Sequence, residues 1–341
     1  MRFTTNPLWS FAAAIFALVR GGYAQERTFT KIGEIERLDP AFDELISPDA
    51  HLEKLAEGFG WAEGPVWNRK ENCLLFSDVH NNLVNRWDER KGLSLFLRPS
   101  GYTGKKPIEN PQGSNGLVYD AQGRLVLCQH GDRRIARLEG ENQFVPLAAK
   151  YQGKRLNSPN DACYRSNGEL YFTDPPYGLA GGEDDPERDL PFSGVYRLGK
   201  NGKLTLLAAD MTRPNGIAFS PDEKLLYVAQ SDPNEPIIRV FDVKVDGTIA
   251  HGRVFFDAAQ LAKDKDDKGL PDGLKVDDKG NLFATGPGGV LVISPRGKHL
   301  GTLRTGVATA NCAWGGNGST LYITAHNYLM RIKTQTRGAG F

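Results

Sequence analysis

Arg213-Pro214-Asn215-Gly216-Ile217-Ala218-Phe219 leads through the turn Ser220-Pro221-Asp222-Glu223 into Leu225-Leu226-Tyr227-Val228. This is an oxygen-bearing polar residue, an apolar run, a turn and a second apolar run. The same order opens five more times, with Glu63-Gly64-Pro65-Val66-Trp67, Asn115-Gly116-Leu117-Val118, Asn160-Asp161-Ala162-Cys163, Asp272-Gly273-Leu274-Lys275 and Asn311-Cys312-Ala313-Trp314. The turns between the runs are rich in the Asp, Asn and Gly that hairpins require. The runs after them, Leu170-Tyr171-Phe172 and Leu321-Tyr322-Ile323 among them, are rich in the aliphatic and aromatic residues of strands. The openings lie 39 to 57 residues apart, the period of four-stranded propeller blades. The expected fold is therefore all-β, a six-bladed β-propeller. The last repeat ends near Lys333, one strand short, and His51–Glu57 can supply that strand, so that pairing of the N- and C-terminal strands closes the ring and removes its exposed edges. A sandwich of similar strand count competes, but gives no reason for one polar opening in all six units.

The rest of the 341 residues fits this frame. Thirty-nine glycines and twenty prolines in a chain without low-complexity tracts signal many turns. A formal charge of +1 argues against nucleic acid as a partner. At the N-terminus Arg2, an apolar stretch from Leu8 to Val19 and the small residues before Gln25 read as a signal peptide over residues 1–24, and hence as export to the periplasm or medium. The apolar run falls short of the ~20 residues that span a bilayer, and Arg20 at its end weighs against a retained anchor, so no stable membrane insertion is expected after cleavage. Residues 25–48 read as an extension on the outside of the domain, 49–336 as the propeller and 337–341 as a tail. Cys73, Cys128, Cys163 and Cys312 allow three disulfide pairings, or serve as buried unpaired thiols; none has the spacing of a zinc site.

In a propeller the first strand of each blade lines the central channel, so the register directs Glu63, Asn115, Asn160, Asn215, Asp272 and Asn311 into one space. Two carboxylates and four amide carbonyls make a hard-oxygen set, suited to one divalent cation: Ca²⁺ first, Mg²⁺ or Mn²⁺ next, Zn²⁺ last. The competing reading is that each Asx-Gly pair caps a local turn. Histidines His80, His130 and His326 follow second strands, but no nucleophile elbow accompanies them, and they read as rim or surface residues. Trp61, Trp67, Trp87 and Trp314 read as packing between blades, and the acidic insertion Gly178–Phe192 as either a lid over the channel or a solvated loop.

Several segments occur together and in order: Glu63-Gly64-Pro65, Asn157-Ser158-Pro159-Asn160-Asp161, Arg213-Pro214-Asn215-Gly216 and Pro271-Asp272-Gly273, supported by Tyr171–Leu179, Gly194–Leu198 and Gly286-Pro287-Gly288-Gly289. From about residue 50 to 335 the chain thereby resembles the gluconolactonase group of the senescence-marker-protein-30, gluconolactonase and luciferin-regenerating-enzyme family of six-bladed propellers. The resemblance implies metal-binding roles for Glu63, Asn160, Asn215 and Asp272, a general-base role for Asp272 and a substrate-orienting role for Arg155. Asn115 and Asn311, which come from the repeat register, are candidate substrate or water contacts. The resemblance also implies a metal-dependent hydrolase that opens a sugar lactone such as glucono-1,5-lactone. Two alternatives stand beside it: a hydrolase of another ester or phosphoester on the same cage, and a non-catalytic binding module with a structural ion.

Overall fold

The computed structural model describes residues 27–105 and 112–341; the candidate signal peptide lies outside the described residues. Six antiparallel sheets stand around an axis, each built in chain order from the axis outward. Blade 1 comprises Ala62–Asn68, Cys73–Asp78, Leu83–Asp88 and Gly92–Leu97, and blade 4 comprises Pro214–Phe219, Leu225–Asp232, Glu235–Val243 and Ile249–Asp257. In blade 6 the chain supplies only Thr309–Gly315, Thr320–Ala325 and Tyr328–Lys333; Leu52–Glu57 completes it, with Leu329 opposite Ala56. The expected ring closure is thus observed. Among the described residues the helices are three short 3₁₀ turns, and no helix is long and apolar enough to cross a membrane.

The inner strands of each blade are largely buried on both faces, which explains why they read as nearly continuous apolar runs. Six apolar clusters fill the six clefts between neighbouring blades: Leu75, Val84, Leu117 and Leu127 between blades 1 and 2, for example, and Tyr171, Val195, Ile217 and Val228 between blades 3 and 4. Trp67 stacks on Tyr322 across the closure seam, with ring centroids 5.4 Å apart, and Trp87 and Trp314 are also buried. The four cysteines are unpaired, three of them fully buried.

The segment 25–48 does not hang free where it is described. Thr30–Ile32 adds a fifth strand to blade 6 and Glu34–Arg37 a fifth to blade 5, and Phe42, Leu45 and Ile46 are buried against both. The C-terminal residues are also packed. Gly338 bridges Asp277, Ala339 N donates to Val276 O at 3.0 Å, and Phe341 carries Arg69 on its ring at the lower mouth of the channel.

Hydroxyl groups on the second strands lock successive inner strands together. Ser77 Oγ donates to Asn115 O at 2.8 Å, Thr173 Oγ1 to Asn215 O at 2.7 Å, Ser231 Oγ to Pro271 O at 2.5 Å and Thr285 Oγ1 to Ala310 O at 2.9 Å. Each bond fixes the backbone of an opening segment from the preceding blade. Thr173→Val keeps the shape but leaves the buried Asn215 carbonyl short of a donor, and the expected loss is about 1–3 kcal/mol of stability, read from the urea midpoint at unchanged m-value.

Candidate active site

The six openings do converge, but in two layers. A cavity of about 630 Å³ opens at the upper end of the axis and is lined by Glu63, Asn115, Asn160, Asn215 and Asp272 together with Trp61, His80, His130, Tyr177, Arg213 and Ser231. Asn311 is buried one layer lower, where its Nδ2 donates to Glu63 Oε2 at 3.3 Å and to Asp161 Oδ2 at 3.4 Å. It therefore orients Glu63 from beneath the cavity and does not line it, which corrects the expectation of a substrate contact.

The glycine that follows four of the six polar openings has a different reason from the turn that the sequence suggested. A Cβ on Gly216 would stand 2.2 Å from Asp272 O, and one on Gly64, whose φ is +49°, would stand 1.9 Å from Asn115 O. Adjacent inner strands approach so closely at the axis that the next blade's polar residue occupies the space of a side chain. The Asx-Gly pattern is thus a packing requirement of the convergence itself.

Within the cavity the polar atoms are arranged as acceptors without donors. Oδ1 of Asn115, of Asn160, of Asn215 and of Asp272 are buried and have no hydrogen-bond partner among the described residues. For Asn215 the amide orientation is set by its Nδ2, which donates to Ser231 Oγ at 3.0 Å and so turns Oδ1 to the cavity. Asp272 is held by backbone bonds on both sides: its N–H donates to Thr285 O at 3.1 Å and its carbonyl accepts from Gly216 N at 3.2 Å. Glu63 Oε2 accepts from Gly64 N at 2.7 Å.

Burial pushes the Glu63 carboxyl up to about 7, with Asp161 adding to the rise and the Gly64 N–H opposing it. Burial likewise raises Asp272 well above the carboxylate range, and the charges of Glu63 and Asp161 raise it further. The Lys275 charge opposes the rise at Glu63, but less than any other cause. Unpartnered hard oxygens and carboxylates destabilised in their charged forms are the two features that a bound divalent cation would relieve together, so the donor set fits such an ion.

The upper cavity also contains residues that the repeat register did not single out. His130 is 2% exposed, its Nε2 has no partner among the described residues, and burial holds its pKa down to about 3, so it stays neutral. Desolvation at its hydroxyl, beside Asp272 and Ser231, raises Tyr177 and keeps it protonated, although the residue as a whole is 39% exposed. Arg213 Nε donates to Glu183 Oε1 at 2.7 Å, tying the acidic insertion Gly178–Phe192 to the cavity mouth. Trp61 lines the cavity, between the rings of His80 and His326, instead of packing between blades. The sequence signal for Tyr177 and Arg213 was present in the Pro175-Pro176-Tyr177 and Arg213-Pro214 segments, but both residues lie on connections where a strand register has no predictive power.

Arg155 lies elsewhere. It sits on the short hairpin Lys150–Tyr151/Lys154–Arg155, exposed, with its N–H on Asp189 Oδ2 at 2.9 Å and its guanidinium 3.8 Å from Glu187. It braces the outside of the insertion and is not among the residues lining the cavity, so a direct substrate-orienting role does not fit its placement. Arg155→Ala is expected to leave kcat and KM for lactone opening unchanged in a steady-state assay, whereas Arg213→Ala raises KM.

Comparison with known proteins agrees with this architecture. The model of the SMP-30/Gluconolactonase/LRE-like region matches residues 61–327. A gluconolactonase of Zymomonas mobilis is 37% identical over 90% of this chain and 88% of its own length. The pentonolactonase XacC of Haloferax volcanii is 23% identical over 77% of this chain and 80% of its own. A solved gluconolactonase structure from Xanthomonas campestris superposes with a TM-score of 0.78 at 32% identity, covering 90% of this chain and 99% of that one. A shared fold, the matched span and this level of identity lead to one conclusion: the chain belongs to the SMP-30/gluconolactonase/LRE-like family.

Proposed function

We propose that this protein is a lactonase that opens a sugar lactone, glucono-1,5-lactone or a similar aldonolactone, to the aldonic acid, with one divalent cation held by Glu63, Asn160, Asn215 and Asp272. The observation that carries this reading is the set of buried, unpartnered oxygens of Asn160, Asn215 and Asp272 facing a cavity whose size suits a small molecule. Relatives named as gluconolactonase and pentonolactonase support the substrate class. An all-oxygen set with neutral amide donors favours Ca²⁺ among the candidates. When bound, the ion supplies a Lewis acid for the lactone carbonyl oxygen and for the negative charge that develops there.

The remaining work falls to side chains. Asp272, through the carboxylate oxygen that does not face the ion, takes the proton of the attacking water. Tyr177 and neutral His130 offer hydrogen bonds to the sugar hydroxyls, and Arg213, steadied by Glu183, closes the mouth against bulk water. The Arg2-led apolar stretch supports action outside the cytoplasm. The test is lactone hydrolysis by chelator-treated protein, with Ca²⁺, Mg²⁺, Mn²⁺ and Zn²⁺ titrated back and the spontaneous rate subtracted. Activity that returns with one ion supports the reading; full activity without any ion refutes it.

A further inference from the structure

Below the cavity the channel holds three side chains, Lys275, Asn311 and Asp161, of which Asn311 alone has been given a role so far. Lys275, on the inner strand Leu274–Val276, rises from the lower channel, and its Nζ donates to Leu274 O at 3.0 Å and Asn311 Oδ1 at 3.4 Å and lies 3.9 Å from Asp161 Oδ2. Asn311 then passes the contact upward, since its Nδ2 reaches both Asp161 Oδ2 and Glu63 Oε2. Asp161 is 2% exposed and among the described residues accepts one backbone bond, at Oδ1 from Ala162 N at 2.9 Å. A buried carboxylate with so little support has a functional reason or an electrostatic one.

The charges around the axis suggest which. Formally Glu63, Asp161 and Asp272 contribute three negative charges, and Lys275, 3.9 Å from Asp161 Oδ2 and joined to Glu63 only through Asn311, contributes one positive charge. The net is −2, the charge that a single divalent ion cancels. We propose that Asp161 and Lys275 are positioning residues that set the charge of the metal cage: Lys275 offsets Asp161 and, through Asn311, holds the Glu63 carboxylate, so that the site is matched to a divalent and against a trivalent cation. This inference rests on the cation reading of the cage given above and goes beyond it by assigning the tuning of that cage to residues that touch neither ion nor substrate. It follows from the Coulomb term, because removing one positive charge within a buried, poorly screened channel strengthens attraction for any cation there, and more for one of higher charge.

The test is isothermal titration of chelator-stripped protein with Ca²⁺ and with La³⁺. Lys275→Met retains the unbranched chain without the charge. It is expected to bind Ca²⁺ about tenfold tighter or more and to gain a larger factor for La³⁺. Asp161→Asn is expected to do the reverse, losing more affinity for La³⁺ than for Ca²⁺, and the double variant K275M/D161N to return near the parent. Lys275→Arg, which keeps the charge, stays near the parent. A purely structural role would weaken both ions alike in every variant, so a K275M protein that binds Ca²⁺ no tighter overturns the inference. Should K275M fail to fold, the La³⁺-to-Ca²⁺ ratio of D161N decides: an unchanged ratio overturns it. A parent protein that binds neither ion overturns the cation reading itself and this inference with it, a result distinct from normal parent binding with an unresponsive K275M.

Discussion

Asp272→Asn is expected to lower kcat for glucono-1,5-lactone opening by ~10²–10⁴-fold, the usual contribution of a positioned general base. The backbone at this position is fixed by bonds to Thr285 and Gly216, and a Cβ on the neighbouring Gly216 is already excluded by Asp272 O, so the amide occupies the same place as the carboxylate. Stability is therefore expected to hold or rise, because the substitution removes a buried carboxyl that desolvation and two neighbouring carboxylates disfavour in its charged form. Activity and stability moving apart is the signature that separates a chemical role from a structural one. If D272N keeps parent kcat, the proton acceptor is another group; if it unfolds, Asp272 is a structural element of the ring. The comparison is made by pH-stat assay and thermal melting on the same preparation.

The second large effect is on stability without substrate. Four buried oxygens without donors and two carboxylates held above their ordinary range leave the ion-free ring carrying an electrostatic strain that a cation relieves. Binding to the folded state alone raises stability by RT ln(1 + [L]/Kd), about 2.7 kcal/mol at a hundredfold excess over Kd. Ca²⁺ added to chelator-treated protein is thus expected to raise Tm in a concentration-dependent way. Asn160→Leu and Asn215→Leu are expected to abolish the rise, while Arg155→Ala preserves it, since Arg155 lies on the outer hairpin. A Tm indifferent to Ca²⁺ in the parent, or a full rise in N160L, contradicts the assignment of these oxygens.

How much of this was legible in the sequence depends on whether a residue's role is set by periodicity. The strands, the six openings and the closure by Leu52–Glu57 follow from the repeated apolar runs and their turn chemistry, and all are observed. The convergence of Glu63, Asn115, Asn160, Asn215 and Asp272 follows from the same register. The register is blind to depth along the axis, however. Asn311 enters its strand two residues after Thr309 and not one after the start, as Asn215 does, and so comes to lie beneath Glu63 instead of beside it. Asp161 escaped notice for a related reason: it and Asn160 both precede the strand Ala162–Tyr164, where alternation does not yet fix which way a side chain turns. Arg155 was placed by likeness to a motif whose surroundings differ here, and its contacts with Asp189 and Glu187 carry it to the outer side of the insertion. His130, Tyr177 and Arg213 lie on connections whose course is set by tertiary contacts, of which Arg213 with Glu183 is one, and no local pattern encodes those.

The claim on which the account depends is that oxygens from four blades hold a single ion on the axis. Diffraction from crystals soaked in Mn²⁺, a substitute for Ca²⁺ with usable anomalous scattering, tests it most directly. One dominant anomalous peak is expected on the axis, within about 2.0–2.6 Å of side-chain oxygens of Glu63, Asn160, Asn215 and Asp272. A featureless cavity, or a peak held by other residues, contradicts it.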